Sequence, residues 1–266
     1  MSFSFSNVVC VSKSDPHNQG NRASSPRRYW PWVAHFPSYD LESVRPIEVR
    51  NRSVIIGGGG ILDYTYKSQL DMIAEEAKEV FLWGVGLNTA GDTPDLSPLD
   101  WKIVSEAKLF GTRDALQRDD AWHTGCPSVM HPFFSLPITP EIAPVHPVCA
   151  YFHPDHAIQL PGNIPTLTTQ VPMDEALFHL SSAQCVVSTS YHGALWASWM
   201  GREVIVPIVH SSKFVTGLEP STIKFGSPAP TFEFNEVGRR AYETVLREHR
   251  AWEKLIGSAI SIEPVC

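Results

Sequence analysis

The segment Ser188-Thr189-Ser190-Tyr191-His192-Gly193 sets hydroxyls, an imidazole and a glycine between an apolar run, Cys185 to Val187, and a helical stretch, Ala194 to Met200. At such a strand-to-helix junction the first-turn amides and the positive end of the helix dipole face outward, which suits an anionic ligand. His192 can donate a hydrogen bond there or move a proton near neutral pH. Arg113 follows the apolar run Leu109 to Thr112, before a short helix with Asp114 near its start. Its planar fork fits a phosphate or carboxylate, and a salt bridge to Asp114 or Asp119 is the competing use. Lys213, beyond the run Val204 to Ile208, is a third basic residue near a strand end.

Four glycines, Gly57 to Gly60, directly follow Val54 to Ile56, and Gly84-Val85-Gly86 repeats the device after Val80 to Trp83. Gly58, Gly59 and Gly60 can bring bare amides to an anion, or form a tight crossing that packs one element against another. No Gly-Lys-Ser/Thr follows and the spacing is not GxGxxG, so neither nucleotide fingerprint is present. The histidines His123, His131, His146, His153 and His156 lack HExxH or paired-helix spacing, and no metal is expected. The five cysteines, Cys10, Cys126, Cys149, Cys185 and Cys266, contain no CxxC pair and read as buried thiols. Tyr29, Trp30, Trp32 and Phe36, broken by prolines, read as an irregular segment packed on the first domain or as a sugar-stacking surface. Arg239, Arg240, Arg247 and Arg250 alternate with Glu243, Glu248 and Glu253 as a solvated helix face.

The elements that must position these residues alternate between apolar runs and amphipathic stretches, the pattern of βα units. Strands are predicted at Asn7 to Val11, Val54 to Ile56, Val80 to Trp83, Leu109 to Thr112 and Ser128 to Met130. A helix capped by Ser68 carries Leu70, Ile73, Ala74, Ala77 and Phe81 in phase, and another starts at Ser97-Pro98. Five prolines fall between Pro132 and Pro147, after which the alternation restarts with strands at Val148 to Phe152, Cys185 to Ser188 and Val204 to Ile208. Met173, Ala176, Leu177 and Leu180 mark one helix, Gly201 ends the helix after His192, and Val237 to Ile256 is the longest helix. The predicted organisation is a Rossmann-like domain at 1–136, a linker at 137–147, a second Rossmann-like domain at 148–234, and a C-terminal helix at 235–266 that returns to the first domain. Ligands of such open sheets bind outside the carboxyl ends of the strands, so the interdomain cleft is the expected site.

Composition narrows the classes. At 266 residues, 43% hydrophobic and 18% charged, the chain is globular and large enough for two modest domains. A formal charge of −7 opposes nucleic acid and anionic membranes as partners. With 22 prolines against a usual frequency of about 5%, stiff connections are expected instead of a helical bundle. No signal peptide and no spanning helix is read, which makes a cytoplasmic setting the expectation. The oligomeric state is not legible.

The order of these motifs resembles the polysaccharide pyruvyl transferase family: a strand ending in glycines (Val54 to Gly60), one ending Gly-Val-Gly (Gly84 to Gly86), a strand followed by Arg113-Asp114, and Ser-Tyr-His-Gly opening a helix that runs to Gly201. The resemblance spans Val8 to Lys213 and is most specific from Thr189 to Pro207. It implies a GT-B-like fold of two Rossmann-like domains around a cleft. It also implies transfer of pyruvate from phosphoenolpyruvate, a donor substrate and not a bound cofactor, to a saccharide acceptor, free or lipid-linked, as a cyclic ketal. Carried over by position, Arg113 and His192 are the catalytic pair on the donor's carboxylate and phosphate. Gly58, Gly59, Gly60, Ser190, Tyr191, Gly193, Lys213 and Asn21 form the binding set. Ser190 stands where members often carry arginine, and Asn21, in Asn18-Gln19-Gly20-Asn21, where they often carry aspartate. Alternative readings are a GT-B glycosyltransferase using a nucleotide sugar and a non-catalytic glycan-binding relative. His192 is expected to face the cleft with Arg113 on the opposite wall.

Overall fold

The computed structural model describes residues 7–15, 18–115, 121–135, 144–218, 223–225 and 236–260, with backbone only for 223–225 and 236–239. In chain order the strands and α-helices are β1 (Val8–Ser12), α1 (Gln19–Ala23), α2 (Pro31–Ala34), β2 (Ser38–Asp40), α3 (Pro46–Val49), β3 (Ser53–Leu62), α4 (Lys67–Glu76), β4 (Glu79–Leu87), α5 (Lys102–Ser105), β5 (Leu109–Thr112) and β6 (Trp122–His123). There follow β7 (His146–Phe152), β8 (Thr166–Thr168), α6 (Met173–Ser181), β9 (Ala183–Ser188), α7 (Tyr191–Trp199), β10 (Glu203–Val206), α8 (Lys213–Thr216), β11 (Ile223–Phe225) and α9 (Glu236–Ala259). The first six strands form one sheet in the order β2-β1-β3-β4-β5-β6, and the last five a second in the order β11-β10-β9-β7-β8. Every pairing in both is parallel.

Burial on both faces explains the near-continuous apolar strands. Val9, Val11, Val54, Ile56, Leu82 and Val85 pack with Leu70 and Ile73 of α4 and Ile103 of α5 on one face of the first sheet. On its other face Val8, Cys10, Ile55, Phe81 and Trp83 meet Trp30, Val33 and Phe36, and Trp252 and Ile256 of α9 close this layer. The aromatic segment is therefore packed inside, with the Trp30 ring centre 4.1 Å from that of Trp83. The last helix lies against the first sheet. Cys10, Cys126, Cys149 and Cys185 are buried free thiols. Cys266 and Asp119 lie outside the described residues, as do residues 136–143 of the proline-rich stretch and residues 116–120, where a short helix was expected.

Several boundaries depart from the pattern-based reading. Ser128 to Met130 is a turn of 3-10 helix, Pro127–Met130, not a strand. Pro127 favours the helical turn, and the adjoining sheet edge is completed by β6. Phe81 belongs to β4, because α4 ends at Glu76 and burial of the next strand decides the remaining residues. Ser68 sits inside α4, whose N-cap is Tyr66. Ser97-Pro98 opens a 3-10 turn, Ser97–Asp100, and α5 begins only at Lys102. The glycine clusters lie within β3 and β4, where Gly59 and Gly84 adopt φ of 103° and 64° and the register shifts nearby. The helix after His192 starts at Tyr191, so the histidine is in its first turn.

Candidate functional site

In the first sheet the strand order reverses between β1 and β3, and in the second between β9 and β7. The carboxyl ends at these two switch points, where open parallel sheets leave a crevice, face one polar cavity of about 330 Å³. Lys13, Asp15 and Asn18 reach it from the end of β1, Gly60 from β3, His153 from the end of β7, and Thr189 and Ser190 from the end of β9. Asn21, Arg113, Tyr191, His192 and Lys213 complete the assembly with Asn88 and His210. Residues far apart in sequence thus meet because two sheets present the same kind of edge to each other.

The β9–α7 turn is built by its own side chains. Ser190 is the N-cap, its Oγ accepting the Gly193 N–H at 3.4 Å. Ser188 Oγ accepts the Ser190 N–H at 3.1 Å and donates to the Tyr151 carbonyl at 2.8 Å. The amide of Gly193 is consequently engaged within the turn. A Cβ there would fall 2.4 Å from the Tyr151 ring and 2.6 Å from Ser188 Oγ, so the position is one of close packing and does not line the cavity. Gly58 is likewise a crossing point, its missing Cβ leaving room for the carbonyls of Gly84 and Ser24 and the ring of Pro127. Gly59 does not border the cavity, whereas Gly60 does.

Arg113 is 2% exposed at the end of β5. Its Nη2 donates to the Leu87 carbonyl at 3.1 Å, and its guanidinium carbon lies 4.6 Å from the centre of the Tyr191 ring, a cation–π contact. Nε stands 3.7 Å from the Asp114 carboxylate and has no hydrogen-bond partner among the described residues. Gly60 and Gly86 make room for this group: a Cβ would fall 2.8 Å from Nη2 at the first and 2.4 Å from Nε at the second. Arg113 therefore borders the cavity and faces the Asp114 carboxylate at once. Asp114 accepts from the Leu87 N–H at 2.6 Å and Thr216 Oγ1 at 3.1 Å, and burial raises its carboxyl above the ordinary value against the opposing pull of Arg113. The expected opposite-wall arrangement is modified, since Arg113 comes from the first domain yet lies on Tyr191, the neighbour of His192.

His192 is 6% exposed at the seam between the domains. Its Nε2 reaches into the first domain, 3.1 Å from Ser24 Oγ and 3.6 Å from Cys126 Sγ. Burial, with Arg113 and Lys213 nearby, holds its pKa well below the ordinary histidine value, so the ring is neutral. Lys213 opens α8 instead of ending a strand. The segment before it is laced to the first domain by Ser212 N–H to the Thr89 carbonyl (2.9 Å), Gly91 N–H to the His210 carbonyl (3.2 Å) and an Ala90–Ser211 bridge. Desolvation and Arg113 lower the Lys213 ammonium to about 8, opposed by Asp63. Asn21, in α1, borders the cavity beside the backbone of Gly59.

Sequence reasoning missed Lys13, Asn18, Asn88, His153 and His210. Lys13 and Asn18 follow β1 and His153 follows β7, so a consistent application of the strand-end rule would have found them. His153, His156 and His210 do cluster, with the last two ring centres 3.7 Å apart. No group of three or more His, Cys, Asp or Glu among the described residues is placed to hold a metal ion. A second cavity, about 620 Å³, adjoins the first through Asn88, His153, His210 and Lys213 and extends to Asp63, Tyr64 and Asp95.

Two parallel-sheet α/β domains that face each other across a cation-bearing cavity, with a long C-terminal helix packed on the first sheet, define a GT-B-like protein. The sequence profile of the polysaccharide pyruvyl transferases matches residues 13–212, and the chain belongs to that family of transferases. Among solved structures it is similar to the functionally uncharacterized protein KP1_0663 of Klebsiella pneumoniae, at 17% identity and a TM-score of 0.52, over 85% of this chain and 95% of that one. It is also similar to the UDP-GlcNAc 2-epimerase of Neisseria meningitidis, solved with UDP-GlcNAc bound, at 11% identity and a TM-score of 0.49 over 93% of each chain. No curated protein matches. Among the described residues no helix is long and apolar enough to cross a membrane.

Proposed function

We propose that this protein transfers the pyruvyl group of phosphoenolpyruvate to two hydroxyls of a saccharide, forming a cyclic ketal and releasing phosphate. The observation that carries the reading is the convergence of Arg113, Lys213 and His192, from three separate segments and both domains, on one polar cavity. Arg113 and Lys213 supply positive charge for a compact, multiply charged anion. The amides of Tyr191 and His192 in the first turn of α7 add fixed dipoles on the same side. Ser190, lacking a guanidinium, contributes the helix cap instead.

Protonation of the donor's methylene carbon, by a proton drawn from water, gives a methyl group and oxocarbenium character at the central carbon. An acceptor hydroxyl forms a C–O bond there and gives up its proton, with His192 the neutral group at hand to take it. The bond from carbon to phosphate oxygen then breaks, and the neighbouring hydroxyl closes the ring as its proton leaves with phosphate. We place the acceptor in the adjoining 620 Å³ cavity, where the Tyr64 ring, 58% exposed, offers a flat apolar face and Asp63, Asn88 and Asp95 offer polar groups to hydroxyls.

Thermal-shift titration with phosphoenolpyruvate and with nucleotide sugars tests the donor, because a ligand of the native state alone raises the melting temperature. Stabilisation by phosphoenolpyruvate, with phosphate release on adding saccharide, is the expected result. Stabilisation by a nucleotide sugar alone would indicate glycosyl transfer. Saccharide binding with no phosphate release would indicate a binding protein.

A further inference from the structure

Behind His192 runs a buried polar chain whose protons have one consistent direction. Ser24, fully buried in the first domain, holds its Oγ 2.8 Å from the Gly20 carbonyl. A carbonyl only accepts, so the single hydroxyl proton is committed to it. His192 Nε2, 3.1 Å from the same oxygen, must then be the donor. The remaining contacts run the same way. Trp196 Nε1–H donates to Ser128 Oγ at 3.0 Å, which frees the Ser128 proton for Cys126 Sγ at 3.1 Å and the thiol proton for Ser24 Oγ at 3.6 Å. Each donor then has an acceptor, the Nε2–H lying 3.1 Å from Ser24 Oγ and 3.6 Å from Cys126 Sγ, and the two lone pairs of Ser24 are both filled. With Ser24 donating to Nε2 instead, two oxygens would face each other at 2.8 Å with no proton between them.

The assignment follows from this network and leaves Nδ1 with its lone pair. Nδ1 has no hydrogen-bond partner among the described residues, and the ring borders the cavity. Gly20 permits the ring to sit there, since a Cβ would fall 2.0 Å from Nδ1. Of the charged and titratable groups around the ring, Arg113 and Lys213 act with burial to disfavour imidazolium, Tyr191 and Cys126 lie against it, and Asp15 and Asp155 border the same cavity.

We propose that Ser24 is a positioning residue that fixes His192 in the Nε2–H tautomer, making Nδ1 the atom that accepts the proton of the attacking acceptor hydroxyl. As the hydroxyl oxygen forms its bond to the donor's central carbon, the O–H electron pair stays on oxygen and the proton passes to Nδ1. The imidazolium keeps its Nε2–H on Ser24 and returns the Nδ1 proton to solvent, balancing the proton taken up by the methylene carbon, while the ring-closing hydroxyl's proton leaves with phosphate. The identity of the attacking group rests on the proposed function; the tautomer does not.

The test is two-bond proton–nitrogen correlation NMR on protein labelled with 15N-histidine, the His192 signal being assigned by its loss in His192→Gln. The expected spectrum shows a protonated Nε2 and an unprotonated Nδ1, and Ser24→Ala should mix the tautomers while Ser24→Thr restores the single form. An Nδ1–H signal in the unmodified protein overturns the proposal. In parallel, phosphoenolpyruvate binding by calorimetry should change less than about twofold in Ser24→Ala while kcat for phosphate release falls by on the order of 10²-fold. Weakened donor binding with kcat intact would instead make Ser24 part of the donor site. Failure of the unmodified protein to bind phosphoenolpyruvate would refute the donor and leave the spectrum to decide the tautomer.

Discussion

Replacing Arg113 should destabilise as well as disarm this protein, although the residue borders the site. Both members of the Arg113–Asp114 pair are essentially inaccessible, with side chains 1% and 0% exposed. Arg113→Ala removes the cation–π contact with Tyr191 and the charged hydrogen bond to the Leu87 carbonyl, and leaves Asp114 facing a void where its counter-charge stood. Taken singly these are about 2 kcal/mol for a desolvated cation–π pair and about 1.5–3 kcal/mol for a charged hydrogen bond. Breaking a buried pair costs about 3–5 kcal/mol. The terms overlap, and Asp114 keeps its Leu87 and Thr216 donors, so a net loss of about 3–5 kcal/mol is expected, a large share of the roughly 5–15 kcal/mol that hold a typical domain together. Urea unfolding followed by tryptophan fluorescence measures it. Asp114→Asn in the Arg113→Ala background should recover part of the loss, because the amide oxygen still accepts from Leu87 and no charge is stranded. An Arg113→Ala midpoint unchanged from the unmodified protein, or an Asp114→Asn effect that adds to the loss, would refute the account of Arg113 as a structural as well as a binding residue.

Three further outcomes follow from the same geometry. Gly86→Ala, whose Cβ would stand 2.4 Å from Arg113 Nε and 2.8 Å from Asp114 Oδ2, should cost about 1–3 kcal/mol and weaken phosphoenolpyruvate binding, measurable by denaturation and calorimetry. Lys213, lowered to about 8, is charged below that pH and neutral above it; donor affinity should fall as pH rises through about 8, and Lys213→Arg should flatten that dependence in titrations from acid to alkaline pH. His249, buried between Trp83 Nε1–H (3.1 Å) and the Gly125 carbonyl (3.2 Å), is lowered by desolvation to about 3. The unfolded chain, with a histidine pKa of about 6.5, binds that proton first. Its contribution to stability is therefore complete above about pH 6.5 and lost as pH falls towards about 3, and His249→Gln should reduce the acid slope of unfolding free energy by up to about 1.4 kcal/mol per pH unit.

The sequence by itself determined the βα alternation, the division of the apolar runs into two sets and the cation, imidazole and glycine motifs at their ends. Those features depend on local periodicity and on residue chemistry that survives without a fold. It also made Gly201 readable as a helix stop. What it left open was every choice settled by contact between distant segments. By residue type Gly58 is open to an anion contact or a tight crossing, and Gly193 to an anion contact at a helix start; the backbone and side chains pressed against them make them packing positions. Phe81 is in phase with a helix and sits in a strand because the first sheet buries it. Lys13 joins Arg113 and His192 only because β1 and β9 lie beside the switch points of two different sheets. Ser24 carries no motif at all; its contact with His192 exists only across a separation of 168 residues, where one serine proton committed to a backbone carbonyl bears on which imidazole nitrogen carries the hydrogen.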